Sequence, residues 1–188
     1  FQAEDGIPDL VLSLVGSEMC IRDRFLTSGG VSVGDYDVVK DVLGKEGQMQ
    51  FWQVRMKPGK PLAFGLLTGG VPLIGLPGNP VSAMVSFEQF ARPAILKMLG
   101  HIDLAKPEVR AVLDDPLTNS GRRAFVRVIV SQRLGNYHAR TTGEQGSGVL
   151  TSMSKANGLA IVPEETLYLE EGSEVAVQML DWPEGMGL

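Results

Sequence analysis

Three short stretches of the chain gather the residue types that hold an oxyanion: glycines, hydroxyls, lysines and residues that start helices. The first, at 27–34, contains Ser28, Gly29, Gly30, Ser32 and Gly34. Glycines let successive backbone N–H groups turn toward one anion, a following helix start adds a favourable dipole, and the two serines add hydroxyl donors. A tight turn in any α/β domain accounts for the same residues, because one glycine-rich loop is weakly diagnostic. The second stretch sets Lys57 and Lys60 among Pro58, Gly59 and Pro61. Proline fixes the backbone, so two ammonium groups are presented with little further loss of entropy, and lysine is a point-charge partner for phosphate-like oxyanions. A solvated turn between strands explains such lysines equally well. The third, at 75–80, contains Pro77, Gly78, Asn79 and Pro80. Asn79 suits a helix N-cap and Pro80 the first helical position, so alone this stretch reads as a rigid connector.

Two carboxylates, Asp35 and Asp37, follow the first stretch. Helix capping explains Asp35; for Asp37, capping and coordination of a divalent cation stand level. No Walker A string and no complete G-x-G-x-x-G fingerprint occurs, so common nucleotide signatures do not explain the loops. If all three lie at the carboxyl ends of sheet strands, where open α/β sheets bind ligands, they form one pocket for a phosphorylated ligand carrying a divalent cation.

The elements that must position these loops follow from periodicity. A strand ends at 25–27, and a helix is expected over 37–43, with Val38, Val39, Val42 and Leu43 on one face. Residues 51–56 read as a strand with Trp52, Val54 and Met56 on one side. Strands at 62–67 and 71–76 are close enough to form a hairpin through Thr68, Gly69 and Gly70. A helix over 80–99 is expected to kink at Pro93 and stop at Gly100, burying Val81, Met84, Val85, Ile95, Leu96 and Leu99. Beyond residue 107 the pattern changes to strands at 109–113, 125–132, 137–141, 159–162 and 174–179, with one helix near 149–155, as in a small barrel or sandwich. The expected division is a partial α/β domain at 25–104, a β domain at 105–182 and a tail at 183–188.

Residues 1–24 lack any sustained period. The string SLVGSEMCIRDR at 13–24 resembles translated sequencing-adapter sequence. The hypothesis that this segment is not native is tested by resequencing the locus, and recovery of the same string defeats it.

Composition narrows the function classes. The chain has 188 residues, 44% of them hydrophobic, and a net charge of −5. That suits a globular core and is a poor match for nucleic acid or an anionic membrane surface. The lone Cys20 and the absence of an export signal or a long apolar run point to the cytoplasm. With two histidines, His101 and His138, Cys/His metal clusters are excluded, and any metal should be a hard cation held by oxygens.

The strings TSGGVSVGDYD at 27–37, MKPGKPLAFG at 56–65 and GLPGNPVSA at 75–83 resemble the MoeA and gephyrin E-domain family in order and spacing. A looser match is GEQGSGVLTSMSKANGL at 143–159, so the resemblance covers about 25–182. It implies the C-terminal part of a three-layer α/β molybdopterin-binding domain followed by a barrel-like β domain. It implies a molybdopterin molybdenumtransferase, which inserts molybdenum from molybdate into adenylylated molybdopterin and releases AMP, with Mg2+ as the divalent ion. Asp37 falls on the family's acidic position for metal-assisted hydrolysis. Lys57 and Lys60 fall on the lysines that hold the pterin phosphate or the oxyanion, and Pro77 and Pro80 shape the adjoining wall. Arg127 and Ser147 fall on C-terminal positions facing the same cleft. Without the resemblance, Arg127 reads as a solvated strand residue and Ser147 as the N-cap of the 149–155 helix. Complete family members carry further N-terminal domains, used in dimerisation and substrate binding, so a C-terminal fragment of a homodimeric parent is expected, whose activity alone stays open. The alternatives are the related molybdopterin adenylyltransferase and a non-catalytic gephyrin-like scaffold.

Overall fold

The computed structural model describes residues 25–29 and 47–181. The helix expected at 37–43 and the candidates Gly30, Ser32, Gly34, Asp35 and Asp37 lie outside the described residues.

The first sheet has four strands: β1 (Phe25–Ser28), β2 (Gly47–Gln53), β4 (Pro61–Leu67) and β5 (Pro72–Leu76), in the order β1-β5-β4-β2. β1 runs parallel to β5, while β4 is antiparallel to both of its neighbours. The β4–β5 hairpin turns through Gly69 and Gly70, both at positive φ, where a side chain would be strained. Alternation sets the two faces. Thr27, Ala63 and Leu73 are buried on one, whereas Leu26, Phe64, Leu66 and Trp52 stand exposed on the other.

The strand expected at 51–56 breaks in two. β2 ends at Gln53, and Met56–Lys57 forms β3, which pairs in parallel with a different sheet. The alternation therefore does not carry across Val54 and Arg55. Trp52 is 56% exposed while Met56 is buried, so the expected shared side is wrong.

Helical backbone runs from Pro80 to Met98: α1 (Pro80–Ser86), a π turn (Phe87–Ala91) and α2 (Arg92–Met98). A widened turn, not the expected simple proline kink, precedes Pro93, which has no N–H to donate to the turn before it. The expected buried stripe is kept only in part. Val81 and Val85 are buried as expected, but Met84 and Leu99 are exposed. Leu99 lies in the terminating motif, where Gly100 at positive φ donates to the Lys97 carbonyl and His101 N–H to the Leu96 carbonyl.

The second sheet closes on itself. β6 (Glu108–Leu113), β8 (Arg123–Arg133), β9 (Asn136–Thr141), β10 (Gly158–Val162) and β12 (Glu174–Met179) pair around a ring that closes through β10 and β8. Its interior is a core that includes Val128, Val130, Ala139, Ala160 and Val177. A two-stranded ribbon, β7 (Leu117–Thr118) with β11 (Tyr168–Leu169), and helix α3 (Leu150–Lys155) complete it.

A second apolar cluster joins the two parts. Val81 and Val85 of α1 pack with Met56 and with Phe125, Met153 and Leu159 of the barrel region. The buried face of α1 thus meets the barrel, which fixes where its N-terminal end points. Among the described residues no helix is long and apolar enough to cross a membrane.

Candidate functional site

Because β1 and β5 are parallel, the loops leaving them emerge at the same sheet edge. The Gly29 N–H donates to the Leu76 carbonyl at 3.0 Å, and Ser28 Oγ donates to the Pro77 carbonyl at 3.3 Å. Gly78 approaches Gly29 so closely that a Cβ there would sit 3.2 Å from the Gly29 Cα. The first and third stretches are thereby laid side by side, with Pro77 buried and Gly78 and Pro80 at the surface.

The lysine turn reaches the same edge by another route. It enters β4 at its N-terminal end, and β4 is antiparallel to β5. The expectation that all three loops leave carboxyl ends of one sheet's strands is met by two; the third arrives because its strand runs the other way. Lys57 itself is anchored to the barrel, paired with Ala124 of β8. Gly59, at positive φ, packs so tightly on α1 that a Cβ would lie 2.5 Å from Ser86 Oγ. Lys60 is exposed, and its carbonyl accepts the Val54 N–H at 2.7 Å.

Asn79 caps α1 as expected: its side chain accepts the Ser82 N–H at 3.4 Å, and its carbonyl accepts the Ala83 N–H at 2.8 Å. Its amide also donates to Ser147 Oγ at 3.3 Å. Ser147 is not the cap of α3; that place is taken by Val149, which makes no side-chain capping bond. The serine instead meets the start of α1, across 68 residues of sequence.

Arg127 is 1% exposed, so its reading as a solvated strand residue is overturned. Its Nε donates to Ser152 Oγ and its Nη2 to the Gly146 carbonyl, both at 3.0 Å. No carboxylate pairs with it among the described residues. Burial lowers its pKa from the ordinary value, but a guanidinium keeps its proton, so an unneutralised cation sits inside the protein.

Lys57, Arg127, Thr141, Gly143 and Gln145 line one cavity of about 270 Å³ between the lysine turn and the barrel. The segment 143–147 links the two groups of residues, since Gly143 and Gln145 face the cavity while Ser147 touches Asn79. Lys57 is the lining cation whose ammonium has no internal partner bond among the described residues, whereas the Arg127 guanidinium, the Thr141 hydroxyl and the Gln145 amide at its wall are held by hydrogen bonds within the protein. A positive charge fixed beside a positively charged wall suits a small anion. No group of three or more His, Cys, Asp or Glu side chains that could hold a metal ion occurs among the described residues. Lys60 does not line the cavity, and Asp37 lies outside the described residues. Sequence reasoning missed Gln145; its signal was a long amide side chain set between glycines, where a purely flexible turn needs none.

Residues 4–97 match the model of a family described as a probable molybdopterin binding domain, and residues 110–180 match the MoeA C-terminal region, domain IV. Molybdopterin molybdenumtransferase 2 of Mycobacterium tuberculosis (strain CDC 1551 / Oshkosh) is 39% identical over 162 residues, covering 82% of this chain and 39% of the relative. The molybdopterin molybdenumtransferase of Haemophilus influenzae is 38% identical over 159 residues, covering 83% of this chain and 39% of that protein. The crystal structure of a molybdopterin biosynthesis MoeA protein from Pyrococcus horikosii superposes with a TM-score of 0.69 at 30% identity, covering 85% of this chain and 38% of that one. The chain spans 39% of the length of both curated relatives. With matches on both the sheet and the barrel, it belongs to the molybdopterin-binding family of MoeA and gephyrin.

Proposed function

We propose that this chain is the sheet-and-barrel part of a molybdopterin molybdenumtransferase, which inserts molybdenum from molybdate into adenylylated molybdopterin and releases AMP during molybdenum-cofactor synthesis. The observation that supports the reading is the cavity at the seam of sheet and barrel, whose wall includes Lys57 and the buried Arg127, in a chain that also sets two glycine loops side by side at Gly29 and Gly78. A tetrahedral oxyanion and the phosphates of an adenylylated pterin need that set of fixed donors.

In this reading Lys57 and Lys60 hold the pterin phosphate or the molybdate. Cations fixed there stabilise the charge that gathers on the departing AMP phosphate. Ser28, Gly29 and Gly78 line the neighbouring backbone edge, Pro77 and Pro80 stiffen its wall, and Asn79 with Ser147 closes it from the barrel side. Gly30, Ser32 and Gly34 continue the first loop by resemblance alone. Asp37 is proposed on the same ground as ligand of Mg2+ and promoter of hydrolysis; no step drawn from the described residues runs through that ion. The parent is proposed to be a cytoplasmic homodimer. The adenylyltransferase reading is set aside because the barrel and the lysine turn both contribute to the cavity.

The test is an AMP-release assay on the full-length parent with molybdate and adenylylated molybdopterin. Asp37→Ala should abolish release while the protein stays folded, and Lys57→Ala should lower kcat/KM by about a hundredfold, as for loss of one charge-stabilising donor. Retained turnover in both variants removes the assignment.

A further inference from the structure

The segment that carries Ser147 to α1 is held against the barrel by the side chains of Gln145 and Arg127. The last residue pair of the β8–β9 ladder is Val128 with Thr141. One step further, the Thr142 N–H still donates to the Arg127 carbonyl at 3.1 Å. In a continuing antiparallel ladder the Arg127 N–H would in turn donate to the Thr142 carbonyl. Instead it donates to Gln145 Oε1 at 2.9 Å. The side-chain amide therefore stands in for one backbone rung, which frees the chain to leave the barrel at Thr142 without stranding a polar group.

The other half of the same amide gathers the departing loop. Gln145 Nε2 donates to the Arg127 carbonyl at 3.2 Å, to Thr142 Oγ1 at 3.3 Å and to the Gly143 carbonyl at 3.1 Å. The next residue, Gly146, is held through its carbonyl by the Arg127 guanidinium. Ser152, which also accepts from Arg127, donates to the Val149 carbonyl at 2.6 Å. Both ends of 142–149 are thus tied to Arg127, and the residue left projecting from the middle is Ser147, in contact with Asn79.

We propose that Gln145 is a positioning residue of the cavity: by replacing a ladder rung at Arg127 it fixes 143–147 in the one path that sets Ser147 against Asn79 and Gly143 in the cavity wall. Its importance to ligand binding rests on the functional reading above. Its effect on Ser147 does not.

The test has two arms, both on the full chain. In the ligand-free arm the Asn79 side-chain amide signals are followed by NMR. In Gln145→Leu they should move to the positions they take in Ser147→Ala, because both changes remove the same contact. If they stay at the parent positions, the proposal is overturned.

In the ligand arm the probe is molybdopterin, titrated calorimetrically. Gln145→Leu strands the Arg127 N–H and should weaken binding about tenfold, with an unchanged circular dichroism spectrum. Adding Ser147→Ala to Gln145→Leu should cost less than about twofold more, since the two act as one unit. Independent, additive losses, or no loss in Gln145→Leu, count against the proposal. If the parent chain itself fails to bind molybdopterin, the functional reading falls, while the Asn79 signals still decide the role of Gln145.

Discussion

The two sheets of this chain solve the problem of exposed backbone and apolar surface in opposite ways. The barrel closes through the β10–β8 pairing, so its strands leave no open edge in the ring, and its interior cluster is complete. Among the described residues the four-stranded sheet ends on two edge strands, β1 and β2, and shows Leu26, Phe64, Leu66 and Trp52 on one face. Stability and function are therefore distributed unevenly. The barrel is a finished support, and the sheet contributes an edge whose loops gain fixed positions by leaning on it. Lys57 illustrates this, since β3 belongs to the barrel sheet although β2 before it and β4 after it belong to the other.

The largest expected effect comes from breaking the finished half. Val177 is fully buried at the barrel centre, and Val177→Asp places an unpaired carboxylate there. A loss of more than about 4 kcal/mol is expected, enough to abolish cooperative folding in a denaturant titration. Next is the seam between the halves. Gly59→Ala demands both a strained positive φ and a clash with Ser86 Oγ, and should cost about 1–3 kcal/mol. It should also displace Lys57, so the thermal midpoint and molybdopterin affinity should fall together. A smaller effect is expected on the open half. Phe64→Ser lies on the exposed sheet face, so a denaturant titration should show a change in stability of about 0.5 kcal/mol or less.

The smallest effect is a pH dependence at the barrel rim. Asp114 pairs with His138 Nδ1 at 3.0 Å and with Arg133 Nη2 at 2.9 Å. The hydrogen bond with His138, aided by Arg133 and opposed by partial burial, lowers its pKa below the ordinary 3.8. A carboxyl whose folded pKa is lowered adds stability that is complete above the unfolded value and disappears as pH falls through the folded one. Melting curves of Asp114→Asn should therefore fall less steeply than those of the parent as pH drops below 3.8. Parallel acid limbs would remove this pair from the account.

Local signals made much of this legible. The β4–β5 hairpin announced itself through paired glycines, Asn79 through its position before Pro80, and the barrel strands through evenly spaced turns. The misreadings came where partners distant in sequence decide burial. Trp52 was assigned the wrong side because β2 leaves its sheet at Gln53, which no local period marks. Met84 and Leu99 share the spacing of the buried stripe yet stand exposed, Met84 at its margin beside Val81 and Val85 and Leu99 in the motif that ends the helix. Arg127 looked solvated because a lone charge in a strand usually is; its burial depends on Gly146 and Ser152, which follow much later. The candidate site was legible as three loops, whereas their joining through Gln145 and Ser147 was not.

The most direct measurement is a titration of the isotopically labelled chain with molybdopterin, followed by backbone amide shifts. The changes should concentrate at Lys57, Arg127, Gly143 and Gln145, extend to Gly29 and Gly78, and vanish in Lys57→Ala. Changes confined to another surface, or undiminished binding by Lys57→Ala, would contradict a shared anion-holding cavity at the seam of sheet and barrel.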